Sequence, residues 1–281
     1  MLTASALKQV LRERELRLSK RLGQHHLVDA RAIERILEVC QLSPSDTVVE
    51  IGAGLGALTE PLARQAARVV AVEIDRRVAE VLAERMRPLA NVAVQHRDIL
   101  EFDWAGVSDV VVMGAIPYHI TSPIIVALTA HRQQIRRAVL VVQEEVADRL
   151  AAQPGTKAYG RLSVLAQYGW QVAKRGRISR SAFFPQPTVD SCCLELQPHP
   201  QPPIEVKDEA RFFEVVKAAF AQRRKTLVNS LLEGGALGVQ RATIESALRQ
   251  LGLSGTVRGE MLSLAQLGPL SNLLARSNSL S

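Results

Sequence analysis

The stretch Val48-Val49-Glu50-Ile51-Gly52-Ala53-Gly54-Leu55-Gly56-Ala57-Leu58-Thr59-Glu60 decides the fold. A short apolar run, read as a buried strand, enters a turn carrying three alternate glycines, and a helical pattern follows. Glycine lets the backbone turn sharply and come close to a ligand, and the N-terminus of the following helix offers free N–H groups. A strand, glycine turn and helix in this order suit a dinucleotide or S-adenosylmethionine.

Working outward, RVVAVEID (68–75) reads as a second strand and RRVAEVLAERMRPL (76–89) as a helix. NVAVQHRDIL (91–100) reads as a third strand with a polar end, and SDVVVMGAIPYHI (108–120) as a fourth running into a Pro-Tyr loop. A helix from about Ser122 to Ala130 follows, and then RAVLVVQEEVADRL (137–150) as a fifth strand with its helix. Strands this apolar, alternating with helices, predict an α/β fold with a parallel sheet covered on both faces. The second strand ends at Glu73-Ile74, where an acid can hydrogen-bond a ribose diol. The third ends at Asp98-Ile99, where a carboxylate can accept from an adenine amine. Glu50 makes the loop E-x-G-x-G, and the pattern resembles the Rossmann-like class I S-adenosylmethionine-dependent methyltransferases.

Upstream, residues 29–41 form a helical pattern that Asp29 suits as N-cap, and residues 1–20 read as a basic helix or arm. Downstream, RLSVLAQYGWQVAKRGRI (161–178) and TVDSCCLELQP (188–198) read as antiparallel strands closing one sheet edge. The proline-rich QPHPQPP (197–203) reads as a linker. Only helical patterns follow it. The expected organisation is an N-terminal arm (1–20), a cofactor-binding domain (21–197) and a small all-α C-terminal domain (204–281).

The chain has 281 residues, 47% hydrophobic and 22% charged, with a formal charge of +7. That excess of Lys and Arg points to a polyanionic partner such as RNA. No run approaches the roughly 18 apolar residues of a membrane helix. The N-terminus lacks a secretory apolar region, so a cytoplasmic address is expected. Cys40, Cys192 and Cys193 suit neither a disulfide framework nor a metal site, and read as buried hydrophobes.

Beyond the cofactor loop, Gly114-Ala115-Ile116-Pro117-Tyr118-His119 resembles the Asn/Asp-[Leu/Ile/Pro]-Pro-[Tyr/Phe] loop of enzymes that methylate the exocyclic amine of adenine. RLGQHHLVD (21–29), VVQEEVADRLAAQPGTKAYGRLSVLAQY (141–168), SAFFPQPTVDS (181–191) and FAQRRKTLVNSL (220–231) match further family motifs over nearly the whole chain. The chain resembles the small-subunit (16S) rRNA adenine N6,N6-dimethyltransferases.

The resemblance implies S-adenosylmethionine as cofactor and 16S rRNA in the small ribosomal subunit as partner, with a monomer as the expected state. It implies cofactor contacts at His25, Leu27, Gly52, Gly54, Glu73, Ile74, Asp98, Ile99 and the Ala115 backbone. It implies a catalytic loop of Ala115, Ile116, Pro117 and Tyr118, with Phe183 stacking on the flipped base opposite Tyr118. Arg223, Arg224 and Lys225 would contact rRNA. Ala115 stands where the family has Asn, and His25 and His26 where it has Asn and Phe. A catalytically impaired relative acting as an assembly or RNA-binding factor is the alternative that Ala115 raises. A 23S-type resistance methyltransferase fits the motifs less well, and a dehydrogenase fits least, because nothing in the sequence offers a hydride-transfer site.

Overall fold

A computed structural model describes residues 2–16, 18, 23–117, 120–234 and 237–275. Two compact units emerge: residues 1–147 with 171–198, and residues 148–170 with 199–281.

The first unit is built on strands β1 (His26–Leu27), β2 (Thr47–Ile51), β3 (Arg68–Glu73), β4 (Val92–His96), β5 (Val110–Ala115), β6 (Ile135–Gln143), β7 (Trp170–Ile178), β8 (Phe183–Phe184) and β9 (Ser191–Pro198). Seven of them form one sheet in the order β4-β3-β2-β5-β6-β9-β7, and β1 pairs with β8. Strands β2 to β6 are mutually parallel, while β9 runs antiparallel to β6. Val48, Val49, Val69, Val111, Val112, Val139 and Leu140 are buried, as a sheet covered on both faces requires. The chain steps outward from β2 through β3 to β4, then returns to the other side of β2 as β5. That reversal opens a crevice at the carboxyl ends of β2 and β5.

Helix α1 (Ala4–Glu13) begins at Thr3, whose hydroxyl accepts from Ala6 N. The N-terminal segment is no loose arm, because Leu2 and Leu7 sit in the core of the first unit. Its far end is tied down where Arg77 donates to the carbonyls of Arg14 and Glu15. Arg14 also pairs with Glu84 at 2.6 Å. Of the basic residues in and beside this segment, Arg17, Lys20 and Arg21 lie outside the described residues.

The second unit corrects the sequence reading in two ways. Residues 148–170, expected in the first domain, cluster with the helical unit. Within them, 161–169 form helix α7 (Arg161–Gly169) and not a strand. Ser163 accepts from Gly160 N and donates to Arg149 O, which fixes the helix start. Val164 and Tyr168, one helical turn apart, then bury on the same cluster.

That cluster also takes in α8 (Glu209–Ala219), α9 (Leu227–Glu233), α10 (Arg241–Gln250) and α11 (Leu264–Leu273). Arg211, 4% exposed, donates to Leu274 O, Leu237 O and Glu214. Its guanidinium thereby serves carbonyls at the end of α11 and in the segment after α9. Arg211→Met keeps the stem and orphans two buried carbonyls, at about 1–3 kcal/mol each. Urea unfolding of the variant should lose about 2–5 kcal/mol, and a loss under 1 kcal/mol would show these carbonyls to be solvated.

Candidate active site

The crevice holds a cavity of about 830 Å3, measured out to its mouth. His25, Leu27, Gly52, Gly54, Glu73, Ile74, Asp98, Ile99, Ala115 and Pro117 all line it. The residues expected at the cofactor therefore converge on one space. Among the catalytic-loop residues, Ala115 and Pro117 reach it and Ile116 is buried behind them. Tyr118, like His119, lies outside the described residues.

The glycine turn is bound to β3 beside it, through Gly52 N and Ala53 N to Val72 O and through Gly54 N to Glu73. Gly54 has φ +56, and a Cβ there would lie 2.8 Å from the ring of His26. Gly56 has φ +87, with Leu82 Cδ1 2.9 Å from the corresponding position. Both positions need glycine for conformation and for space. Gly54 N donates to Glu73 Oε2 at 2.8 Å, and Asp75 N to Glu73 Oε1 at 2.9 Å. Each oxygen of Glu73 keeps a lone pair, which suits the two hydroxyls of a ribose. Burial pushes its carboxyl above the ordinary range, against those backbone donors. Asp98 caps a short 3-10 turn at Leu100 N through Oδ1. These donors and acceptors fit an adenosine-bearing cofactor.

Several lining residues carried no role in the sequence reading. Gln24 donates to Asp75 Oδ2 at 3.3 Å. Glu50, 1% exposed, accepts from the Thr59 hydroxyl at 2.6 Å, and burial pushes its carboxyl up to about 8. The E-x-G-x-G spacing was the signal that could have marked it. His26 is 7% exposed, and its Nε2 has no hydrogen-bond partner among the described residues. Burial, and then the neighbouring His25, lower its pKa to about 4.

The wall at His25 adjoins the segment that carries Phe183, and Phe183 is placed differently from its expected role. His25 Nδ1 is bonded to Pro185 O at 2.7 Å, joining the cavity wall to the Phe-Phe-Pro segment. The ring of Phe183 is buried in the core beside Leu27, which leaves it no open face for a base. Phe184 is partly exposed instead, with Lys8 Nζ 4.9 Å from its ring centroid. Cys40, Cys192 and Cys193 are free and buried.

Several arginines of the first unit are committed within the protein. Arg136 pairs with Asp46, Arg175 with Glu195 and Arg177 with Asp190. Arg137 lies 2.9 Å from Glu195 through Nε, at an angle too bent for a hydrogen bond. In the helical unit, Arg223 holds Glu260 at 2.7 Å and the carbonyl of Lys157 at 2.6 Å, and Lys225 pairs with Glu233. Arg224 is exposed and takes no partner among the described residues.

The family model described as ribosomal RNA adenine dimethylase matches residues 15–266. The chain belongs to that family. It is 44% identical to "Ribosomal RNA small subunit methyltransferase A" of Geobacillus kaustophilus (strain HTA426), over 97% of this chain and 96% of the relative. The protein of the same name from Geobacillus thermodenitrificans (strain NG80-2) is 42% identical over 97% and 96%. Among solved structures, a dimethyladenosine transferase from Plasmodium falciparum matches with TM-score 0.75 and 26% identity, covering 87% of this chain and 95% of that one. The 23S rRNA methyltransferase ErmE matches with TM-score 0.66 and 30% identity, covering 88% and 98%. As an rRNA adenine dimethylase of this fold, the chain is a methyltransferase with S-adenosylmethionine as its cofactor.

The orphaned His26 nitrogen gives a stability test. Its folded pKa lies below that of the unfolded chain, so unfolding takes up a proton at acid pH. Stability is therefore whole above about pH 6.5 and lost as pH falls toward about 4, by up to about 1.4 kcal/mol per pH unit. His26→Phe should raise stability by about 1–3 kcal/mol at pH 7, by removing a buried unsatisfied group. Denaturant midpoints between pH 7 and 4 should also show a shallower acid limb, and an unchanged limb would mean that His26 is solvated.

Proposed function

We propose that this chain transfers methyl groups from S-adenosylmethionine to the exocyclic amines of two adjacent adenosines near the 3′ end of 16S rRNA, in the small ribosomal subunit. It would act in ribosome biogenesis, as a single chain in the cytoplasm. The observation that carries this reading is the cavity, where the ends of β2, β3 and β5 and the turn after β4 converge. Whole-length identity of 44% to a small-subunit enzyme, against 30% to ErmE, supports the small subunit as substrate over the large one.

S-adenosylmethionine, when bound, supplies a methyl group activated by the sulfonium. The chain's part is to bind and orient. Glu73 offers carboxylate oxygens to the ribose hydroxyls, Asp98 accepts from the cofactor's adenine amine, and Gly52 and Gly54 let the backbone come close. His25 and Leu27 complete the wall, with Ile74 and Ile99 beside the acids. The target adenine must leave its stack to reach the loop at 115–118. Its amine is a poor nucleophile, with a lone pair delocalised into the ring, so rate comes from positioning and accepting its N–H groups. The Ile116 carbonyl would accept one of them and the aromatic ring of Tyr118 would stack on the base, with Phe184, the more exposed of the two phenylalanines, on its other face.

Ala115 offers no side-chain acceptor for the second N–H. A preorganised contact of this kind is worth about 2.7–4 kcal/mol, or 10²–10³ in rate. Ala115→Asn should raise methyl transfer to unmethylated small subunits by about that factor, with little change in cofactor affinity. No gain would mean that another group already fills the role.

Arg224, exposed and with no partner among the described residues, is the member of the Arg223-Arg224-Lys225 cluster best placed to take an rRNA phosphate. Arg223 and Lys225 would shape the surface around it. Arg224→Glu should weaken subunit binding at low and moderate salt, with the deficit shrinking as salt rises, and flatten the dependence of log K on log salt by about one contact. Unchanged affinity and slope would exclude that contact.

A further inference from the structure

Four acids of the first unit are buried, at 5% exposure or less: Asp46, Glu50, Glu73 and Glu195. Three are compensated. Asp46 has Arg136 and the backbone N–H of Ser43. Glu73 has two backbone donors, and Glu195 has Arg137 and Arg175. Glu50, the most buried, has one neutral hydroxyl, that of Thr59. A carboxylate with so little compensation is costly in a medium of low dielectric, and such a group keeps its proton instead.

Its surroundings add to that cost. Glu73 on β3 faces the same cavity and its field opposes a second negative charge. The thiol of Cys40, on α2 (Ala30–Cys40), is coupled to Glu50 electrostatically and is itself held protonated by burial. His26 is neutral. At the rim are Asp98 and the exposed Arg97, which donates to Glu101 O. Among the described residues no cation pairs with Glu50, and it lines the space where the ligand belongs.

We propose that Glu50 keeps its proton until a cationic group of the ligand enters the cavity and then releases it to solvent, so that the site recognises the charge of its occupant as well as its shape. The carboxyl O–H breaks, the carboxylate remains against the ligand cation, and the proton passes to buffer. This rests on the cofactor reading above.

Calorimetric titration of the full chain at pH 7, in buffers of differing ionisation enthalpy, counts the protons released. S-adenosylmethionine carries a sulfonium and an ammonium, S-adenosylhomocysteine only the ammonium, and methylthioadenosine neither. About one proton should be released per S-adenosylmethionine bound, and none with methylthioadenosine. Release with S-adenosylhomocysteine as well assigns the trigger to the ammonium; release with S-adenosylmethionine alone assigns it to the sulfonium. Glu50→Gln, which keeps the shape and the Thr59 bond, should bind without release. In the unsubstituted chain, the infrared band of a protonated carboxyl should vanish on cofactor addition, a readout independent of that variant's folding. Cofactor binding with no proton release, or with equal release in Glu50→Gln, overturns the proposal. Failure to bind S-adenosylmethionine at all overturns the cofactor reading, and this inference with it.

Discussion

The carboxylate of Glu73 accepts from Gly54 N and Asp75 N, and so ties the turn leaving β2 to the turn leaving β3. Much of the site depends on that bridge. It holds Gly54 in the left-handed conformation that keeps the loop flat against the sheet. It also sets Asp75, whose side chain caps α4 (Arg76–Met86) at Arg77 N and Val78 N and takes the amide of Gln24. Gln24 in turn belongs to the segment that leads through His25 and β1 to the pairing with β8. One buried acid thus connects the glycine turn, a helix start and the wall of the cavity. A water-exposed acid would not serve, because its hydrogen bonds would compete with solvent and fix little.

Two further buried polar groups in the same cavity are poorly compensated, which is where a folded chain gives up stability for function. Glu50 has one donor and His26 Nε2 has none. Both lie beside Gly54, Gly52 or their neighbours and both line the space the cofactor needs. A site that must accept a charged, polar molecule cannot be finished with its own hydrogen bonds. Groups left short of partners in the free protein are groups with capacity to spare for a ligand. His26 is the weaker case, because an aromatic hydrocarbon could fill its place without that cost.

Much of this was legible in the sequence, for a physical reason. Parallel strands buried on both faces are nearly continuous apolar runs, so Val48–Ile51, Val69–Val72 and Val110–Met113 declare themselves and their parallel direction follows from the helices between them. The acids at the strand ends could be located by counting. Helix α7 could not, because an apolar run as short as that around Val164 has no periodicity to separate helix from strand. Nor could Phe183 be told from Phe184. Successive strand residues face opposite sides, and only the pairing of β8 with β1 decides which ring enters the core. Leu2 and Leu7 were hidden among Arg, Lys and Glu, whose density masks a two-residue anchor.

The net charge of +7 is a true statement about the chain and a poor map of its surface. Arg136, Arg137, Arg175 and Arg177 all face acids of the first unit, and Arg211 is spent entirely inside the second. Arg223 and Lys225 are similarly engaged, which leaves Arg224 as the member of that cluster with no partner among the described residues. Such pairing does not abolish attraction to a polyanion, since the excess charge still sets the long-range field. It separates two roles that sequence merges. Paired arginines hold loops in shape, as Arg223 does for the carbonyls of Thr156 and Lys157, and a shaped loop is what a reader of RNA form requires. Short-range contacts to phosphate fall to groups with no internal partner, which is why Arg224, and not the whole basic cluster, carries the expectation of contact.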